Sequence, residues 1–278
     1  KLKEEFEQLK EKAKKHLDQN EKIYIQIGSA TCETAAGSQD VLKAFKKDIQ
    51  TSEREDIVLK QVGCTGKCSM EPIVTVFMPN QKPAVYQKVD PEKAHRIFVS
   101  HFVEKTPFEE VKEADQEFTD VQKLLKQHKM TGNYYDVYGK IPFYAPQVRM
   151  ALRNSGIIEP LNIYEYISHD GFLGIKNVLE KNDQDWTIAE VEKSKLRGRG
   201  GAGFPTGLKW KFAKREKEPV KYMICNADEG DPGAFMDRSM LESDPFSVIE
   251  GMMIAGFAIG AKQGFFYIRA EYPLAVER

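Results

Sequence analysis

Five glycines fall within ten residues, 198–207, inside the run Leu196-Arg197-Gly198-Arg199-Gly200-Gly201-Ala202-Gly203-Phe204-Pro205-Thr206-Gly207-Leu208-Lys209-Trp210. Glycine loses more backbone freedom on ordering than any other residue, so this run does not belong inside a helix or strand. It reads as a loop with uncovered amides that a phosphate can approach, and a helix starting behind it would add its positive end. Lys209 supplies a full charge to such an anion site. A plain surface loop and an Arg-Gly segment for single-stranded nucleic acid are the bland alternatives. Segments of the latter kind repeat and are basic, whereas this one occurs once, beside Phe204, Trp210 and Phe212, in a chain of net charge −1. Nucleic acid is therefore not an expected partner.

Some twenty residues on, Tyr222-Met223-Ile224-Cys225 reads as a buried strand that runs into Asn226-Ala227-Asp228-Glu229-Gly230-Asp231-Pro232-Gly233. Ligands of open α/β sheets sit at the carboxyl ends of strands, which places this acidic loop like a binding site. Carboxylates do not hold phosphate, but they accept hydrogen bonds from sugar hydroxyls and ring N–H groups. Glycines for a phosphate and carboxylates for hydroxyls together describe a nucleotide with a sugar-like arm. A solvated acidic turn is the alternative for the loop taken alone.

The 278 residues suit two domains, and 41% apolar with 30% charged residues is ordinary for a globular protein. The longest apolar run, around 252–259, is too short to span a bilayer, and the N-terminus does not read as a secretory signal, so a cytoplasmic location is expected. The missing initiator Met and the stop at Glu277-Arg278 suggest an incomplete sequence. Residues 1–22 space Phe6, Leu9, Ala13 and Leu17 as one face of a helix. Strands are expected at 23–27, 57–62, 73–78 and 84–89, with a turn-like stretch at 28–37 around Cys32. Helices are expected at 38–49, behind an N-cap, and at 91–103, with Pro91 in the first turn. The order α-β-α-β-β-β-α is that of a thioredoxin-like domain over 23–104. A polar linker over 105–146, with one helix near 118–127, leads to a second α/β domain at 147–278. That domain opens with helices near 147–155, 163–167, 171–179 and 187–195.

Of four cysteines, Cys32, Cys64 and Cys68 fall in the first quarter, a pattern of metal or redox chemistry rather than a secreted disulfide scaffold. The stretch 63–68, followed by Glu71-Pro72, resembles the second cysteine pair of a thioredoxin-like [2Fe-2S] module, and the resemblance implies a cluster on four thiolates, the first two spaced C-x4-C. Five residues before Cys32 stands Ile27, and five after it Gly37, so no cysteine completes that pair. Either a cluster is held by Cys32, Cys64, Cys68 and an unidentified fourth ligand, or the domain is apo and structural. The five histidines show no ligand spacing. Met252, Met253, Phe257 and Ile259 are read as core, and Arg269 with Glu271 as either a structural ion pair or neighbours of the ligand.

The stretch 196–210, followed by 225–238 and by Tyr267-Ile268-Arg269-Ala270-Glu271-Tyr272-Pro273, resembles the NADH-binding flavoprotein subunit of respiratory complex I and its relatives in NAD-linked formate dehydrogenases and electron-bifurcating hydrogenases. The resemblance implies an FMN-binding domain in which Gly198, Arg199, Gly200, Gly201 and Lys209 hold FMN, together with Asn226, Asp228 and Glu229. Phe204 and Phe212 match aromatics that flank NAD(H), and Asp231 stands near the dinucleotide where complex I members commonly carry Glu. Gly230-Asp231-Pro232-Gly233-Ala234-Phe235-Met236 is more similar to the hydrogenase and formate dehydrogenase relatives. Gly63-Cys64-Thr65-Gly66-Lys67-Cys68, followed by Glu71-Pro72, resembles the second cysteine pair of the thioredoxin-like [2Fe-2S] module that accompanies this flavoprotein. The implied activity is hydride transfer between NAD(H) and FMN and one-electron transfer to iron–sulfur subunits, with no side chain assigned as acid or base. A [4Fe-4S] cluster is implied with ligands beyond residue 278. A non-catalytic relay or assembly subunit of the same fold is the alternative.

Overall fold

A computed structural model describes residues 2–17, 23–105, 123, 124, 127, 134 and 136–278. Helix α1 (Leu2–Leu17) comes first and buries Phe6 and Ala13. Strand β1 (Ile23–Gly28) then pairs in parallel with β2 (Ile57–Val62) and antiparallel with β3 (Val74–Phe77), which is followed by β4 (Ala84–Tyr86) in the order β2-β1-β3-β4. Between β1 and β2 lie α2 (Thr31–Ala35) and α3 (Ser38–Thr51), and α4 (Pro91–Phe102) follows β4. The period-2 alternation of Ile23, Ile25 and Ile27 turns these residues into one core with Val41, Leu42 and Phe45 of α3 and Ile97 and Phe98 of α4. Asp90 caps α4 by accepting from Lys93 N at 2.7 Å, ahead of Pro91 at the first turn.

Two sequence readings change here. The stretch around Cys32 is a helix, α2, rather than a turn, and α3 begins behind Gly37 at φ 102° with no side-chain cap. The helix expected at 147–155 is instead a string of tight turns, with Ser155 N bonding Leu152 O at 3.1 Å and Ile157 N bonding Asn154 O at 3.0 Å. The cause is the job given to Arg149, which is buried, donates to Thr65 O and lies over the rings of Tyr134 and Tyr144 at 4.7 and 5.5 Å. Tyr134, Tyr138, Tyr144 and Ile158 cover the other face of the sheet, against Ile73 and Val85. The helix expected near 118–127 lies mostly outside the described residues; 123, 124 and 127, which are described, are helical.

Helices α5 (Ile163–Ser168), α6 (Leu173–Lys181) and α7 (Gln184–Lys193) follow close to the expected places. Then come α8 (Thr206–Arg215), β5 (Tyr222–Ala227), α9 (Met236–Ser243), α10 (Pro245–Ile259), β6 (Gln263–Ile268) and α11 (Pro273–Glu277). Strands β5 and β6 are parallel neighbours, Tyr222 opposite Gln263 and Ala227 opposite Ile268. The reading of 222–225 as a buried strand is corrected: Tyr222 is 52% and Ile224 61% exposed. Among the described residues the sheet has two strands. Met223, Cys225 and Ala227 alternate inward, leaving Tyr222 and Ile224 on the open face. Of the residues read as core, Ile259 is buried, Met252 and Phe257 are half-buried, and Met253 is exposed.

The two halves touch next to the cysteines. Thr31 N and Oγ1, at the start of α2, donate to the Glu242 carboxylate of α9 at 2.8 and 2.5 Å. Arg278 donates to Ser29 Oγ at 2.7 Å. A Cβ on Gly63 would come within 2.6 Å of Ser243 Cα, so α9 sits where the loop after β2 needs glycine.

Candidate functional site

The loop after β2 carries Cys64, and a 3-10 turn, Cys68–Met70, carries Cys68. Helix α2 brings Cys32 to face them. The Cys64 and Cys68 sulfurs are 4.0 Å apart, and Gly66 N donates to Cys64 Sγ at 3.1 Å. Glu71 completes the group: its Oε1 accepts from Cys64 Sγ at 2.9 Å and from Cys32 Sγ at 3.3 Å. The four donor atoms lie within 4.8 Å of one another. The loop is braced from behind by Thr65, whose hydroxyl meets Tyr144 Oη at 2.6 Å and whose carbonyl accepts from Arg149.

Crowding of acidic groups in a poorly solvated place sets the titration of the thiols. A hydrogen bond from Cys64 pulls the Cys32 thiol below its ordinary range. The same bond, with burial, pushes Cys64 far upward, and burial with the neighbouring charges lifts Cys68 to about 11. Glu33 of α2 is fully buried, and its carboxyl is pushed up to about 9, chiefly by burial and then by the charge of Glu71. Glu33 Oε2 accepts from Ile73 N at 3.1 Å. Three sulfurs and one carboxylate oxygen equal in number the four protein ligands of a [2Fe-2S] cluster, with oxygen in one of the four places. The sequence shows the three thiols, whereas Glu71 stands in it only as part of a motif, because one acid among 42 Asp and Glu carries no signal of its own.

The second site is built by the glycine run. Its ends are tied, with Gly198 N donating to Phe204 O and Thr206 N to Leu196 O, both at 2.9 Å. Gly201 and Gly203 adopt φ 97° and 61°, which side chains resist. A Cβ on Gly200 or Gly201 would meet nothing within 4 Å, so space stands open before these backbones. Among the described residues the amides of Gly200, Gly201 and Gly203 have no backbone partner. Helix α8 starts directly behind the loop, and Gly207 in its first turn lets α7 approach, since a Cβ there would lie 2.7 Å from Glu192 N.

Gly198, Gly200, Gly203, Phe204, Lys209 and Cys225 share the lining of one cleft of about 700 Å³ with Trp210 and Met252. That volume is in the range of nucleotide-sized ligand sites. Arg199 and Gly201 belong to the same loop, outside the lining, and Phe212 stands with its ring centroid 6.4 Å from that of Phe204. Asn226, next to last in β5, and Asp228, Glu229 and Asp231, past its end, all stand beyond the lining of this cleft. Asn226 Oδ1 is occupied by Asp228 N at 3.2 Å. Glu229 is engaged further: its carboxylate accepts from Asp237 N at 2.8 Å, Arg238 N at 3.2 Å and Tyr272 Oη at 3.0 Å. Arg269 pairs with Glu271 at 3.1 Å and donates to Glu229 O at 3.0 Å, so this pair braces the acidic loop. Burial, then the charge of Asp237, raises the Cys225 thiol.

Comparison with known proteins finds a family match for each of the two regions. Residues 14–101 match the family model of the thioredoxin-like [2Fe-2S] ferredoxin, and residues 191–278 that of the Nuo51 FMN-binding domain. Over 132 residues the chain is 55% identical to the NADP-reducing hydrogenase subunit HndC of Solidesulfovibrio fructosivorans, covering 48% of this chain and 26% of that protein. It is 50% identical over 112 residues to an NADH-quinone oxidoreductase subunit of Aquifex aeolicus, covering 40% and 26% respectively. The mitochondrial NADH dehydrogenase [ubiquinone] flavoprotein 1 of Dictyostelium discoideum is 37% identical over 170 residues, 55% of this chain and 35% of that one. The chain thus spans about a quarter to a third of the length of these relatives. The family resemblance read from the sequence stands: a thioredoxin-like [2Fe-2S] ferredoxin domain is followed by a Nuo51 FMN-binding domain.

Proposed function

We propose that this pair of domains is the NAD(H)-linked flavoprotein part of a multisubunit oxidoreductase, of the hydrogenase, formate dehydrogenase or complex I type. One observation carries the reading: the glycine loop, Lys209 and residues 222–225 of β5 share a single cleft of about 700 Å³. When bound, FMN supplies the chemistry that joins two-electron hydride carriers to one-electron iron–sulfur centres.

The chain's own residues bind and orient. The loop from Gly198 to Gly201, with Arg199, receives the phosphate on the unpaired amides of Gly200 and Gly201, Gly198 N being tied to Phe204 O, and the start of α8 adds its positive end. Lys209 lines the cleft and makes no ion pair among the described residues, so its charge is available to the anion. Phe204 and Phe212 offer exposed rings on one side of the loop, 45% and 48% accessible, as surfaces for the nicotinamide nucleotide. Asn226, Asp228 and Asp231 stand at the strand end to accept hydroxyl and ring N–H groups, and Glu229 holds that loop in shape. The Cys32, Cys64 and Cys68 site would relay single electrons, and the implied [4Fe-4S] cluster and partner iron–sulfur subunits complete the path. No helix among the described residues is long and apolar enough to cross a membrane. A cytoplasmic location and the absence of a nucleic-acid partner belong to the same proposal.

The test is the absorption spectrum of the purified protein before and after NADH. Bound flavin that bleaches is expected; bound flavin that does not bleach would favour the non-catalytic relay, and lack of flavin would refute the site. Lys209→Ala is expected to weaken FMN retention by about ten-fold, the worth of a charge-assisted contact of about 1.4 kcal/mol. Unchanged flavin stoichiometry on dilution would remove Lys209 from the site.

A further inference from the structure

Three cysteines leave a four-ligand cluster one donor short, and the structure brings one carboxylate to the remaining corner. We propose that Glu71 is the fourth ligand of the [2Fe-2S] cluster, its carboxylate oxygen standing where related sites use a thiolate. This rests on the reading of the Cys32 site as a cluster site.

The positions that spacing offers for the missing cysteine are closed to the site. Ile27 is 1% exposed, lies in β1 between Gln61 and Val74, and belongs to the sheet core. Gly37 sits ahead of α3 in the left-handed region at φ 102°. Cys225 is on β5, in the wall of the flavin cleft. Glu71, by contrast, has its carboxylate among the three sulfurs, all four donor atoms within 4.8 Å.

Its surroundings also call for a cation. Glu71 is 7% exposed, and among the described residues no lysine or arginine pairs with it. Buried charges in proteins are paired or coordinate metal ions. The partners Glu71 does have are the Cys32 and Cys64 thiols, groups that themselves ligate iron once deprotonated. A carboxylate carries the same single negative charge as a thiolate, so the exchange leaves the charge of the ligand set unchanged. Iron accepts oxygen donors, and iron–sulfur centres with non-cysteine ligands on one iron are established chemistry. Glu33, the other buried acid nearby, bonds Ile73 N and is not one of the converging donors.

The experiment compares iron, zinc, acid-labile sulfide and the EPR spectrum of the reduced protein for the parent chain, Glu71→Ala, Glu71→Cys and Glu33→Gln. The parent is expected to hold about two iron and two sulfide per chain. Removing even an outer-shell partner costs about 10-fold in metal affinity, so Glu71→Ala should lose at least that much. Glu33→Gln should retain the cluster. Glu71→Cys should keep the iron and sulfide content while its EPR g values and visible bands shift toward those of an all-thiolate centre. Should Glu71→Ala fail to fold, the cysteine variant decides: a spectrum identical to the parent's overturns the ligand assignment, as does a fully loaded, spectrally unchanged alanine variant. One zinc or iron per chain without sulfide, which the tetrahedral spacing of about 3.8 Å around a single ion also admits, or a parent without metal would overturn the cluster reading beneath it.

Discussion

Replacing Glu229 by alanine separates two roles for an acid just past the end of β5, contact with the ligand or support of the protein. Its carboxylate accepts from the backbone N–H groups of Asp237 and Arg238, in the first turn of α9, and from the Tyr272 hydroxyl. Phe235, the residue ahead of α9, provides no side-chain cap, so Glu229 caps the helix from another segment. Loss of a cap costs about 1 kcal/mol. The lost carboxylate charge at the positive end of the helix adds about 0.3–1 kcal/mol. The Tyr272 hydroxyl keeps a second contact with Ala234 O at 3.3 Å, so its loss counts about 0.5 kcal/mol. The sum is about 2 kcal/mol for this half-buried group, which corresponds to a fall of roughly 4–8 °C in Tm at 2–4 °C per kcal/mol. Thermal unfolding followed by tryptophan fluorescence, with hydrogen exchange at the Asp237 and Arg238 amides, measures it. Both should respond, with weaker flavin retention as a consequence; flavin loss at unchanged Tm and unchanged amide protection would refute the supporting role.

Two further outcomes follow from close approaches and buried charge. Gly63→Ala places a Cβ within 2.6 Å of the Ser243 backbone and should cost about 1–3 kcal/mol, read by thermal denaturation; an equally stable variant would mean that α9 does not press on the cysteine loop. The Glu33 carboxyl is raised from 4.5 to about 9 in the folded protein, so its contribution is full below the unfolded value and is lost as pH rises toward 9. Stability should therefore fall across that window at up to about 1.4 kcal/mol per pH unit, and Glu33→Gln should flatten the slope. The same slope in the variant, measured by urea unfolding at several pH values, would show that Glu33 titrates normally.

Local patterns reveal most of what is local. The alternation of Ile23, Ile25 and Ile27 and the Asp90-Pro91 start of α4 are written in neighbouring residues, and the structure places these elements as expected. The glycine run is equally legible, because φ values such as 97° at Gly201 are a property of the residue type. Partnerships across the chain are not. Arg149 gives up a helix to reach Thr65, 84 positions away, and no spacing rule carries that exchange. Tyr222 and Ile224 read as buried because apolar runs in parallel sheets usually are, yet burial depends on what lies over the sheet. Glu71 stays hidden for a similar reason: its role emerges only when the turn at Cys68 and the helix at Cys32 close on it.

The carboxylate of Glu242 receives the first amide and hydroxyl of the helix that presents Cys32. That contact makes the redox module and the flavin module unequal to interchangeable cassettes. Excised on its own, the front module would expose Thr31 to water and loosen the start of the Cys32 helix, which Glu33 would still tie to Ile73 N. Gene fusions that transplant this module onto another flavoprotein therefore need to bring a matching acid with them.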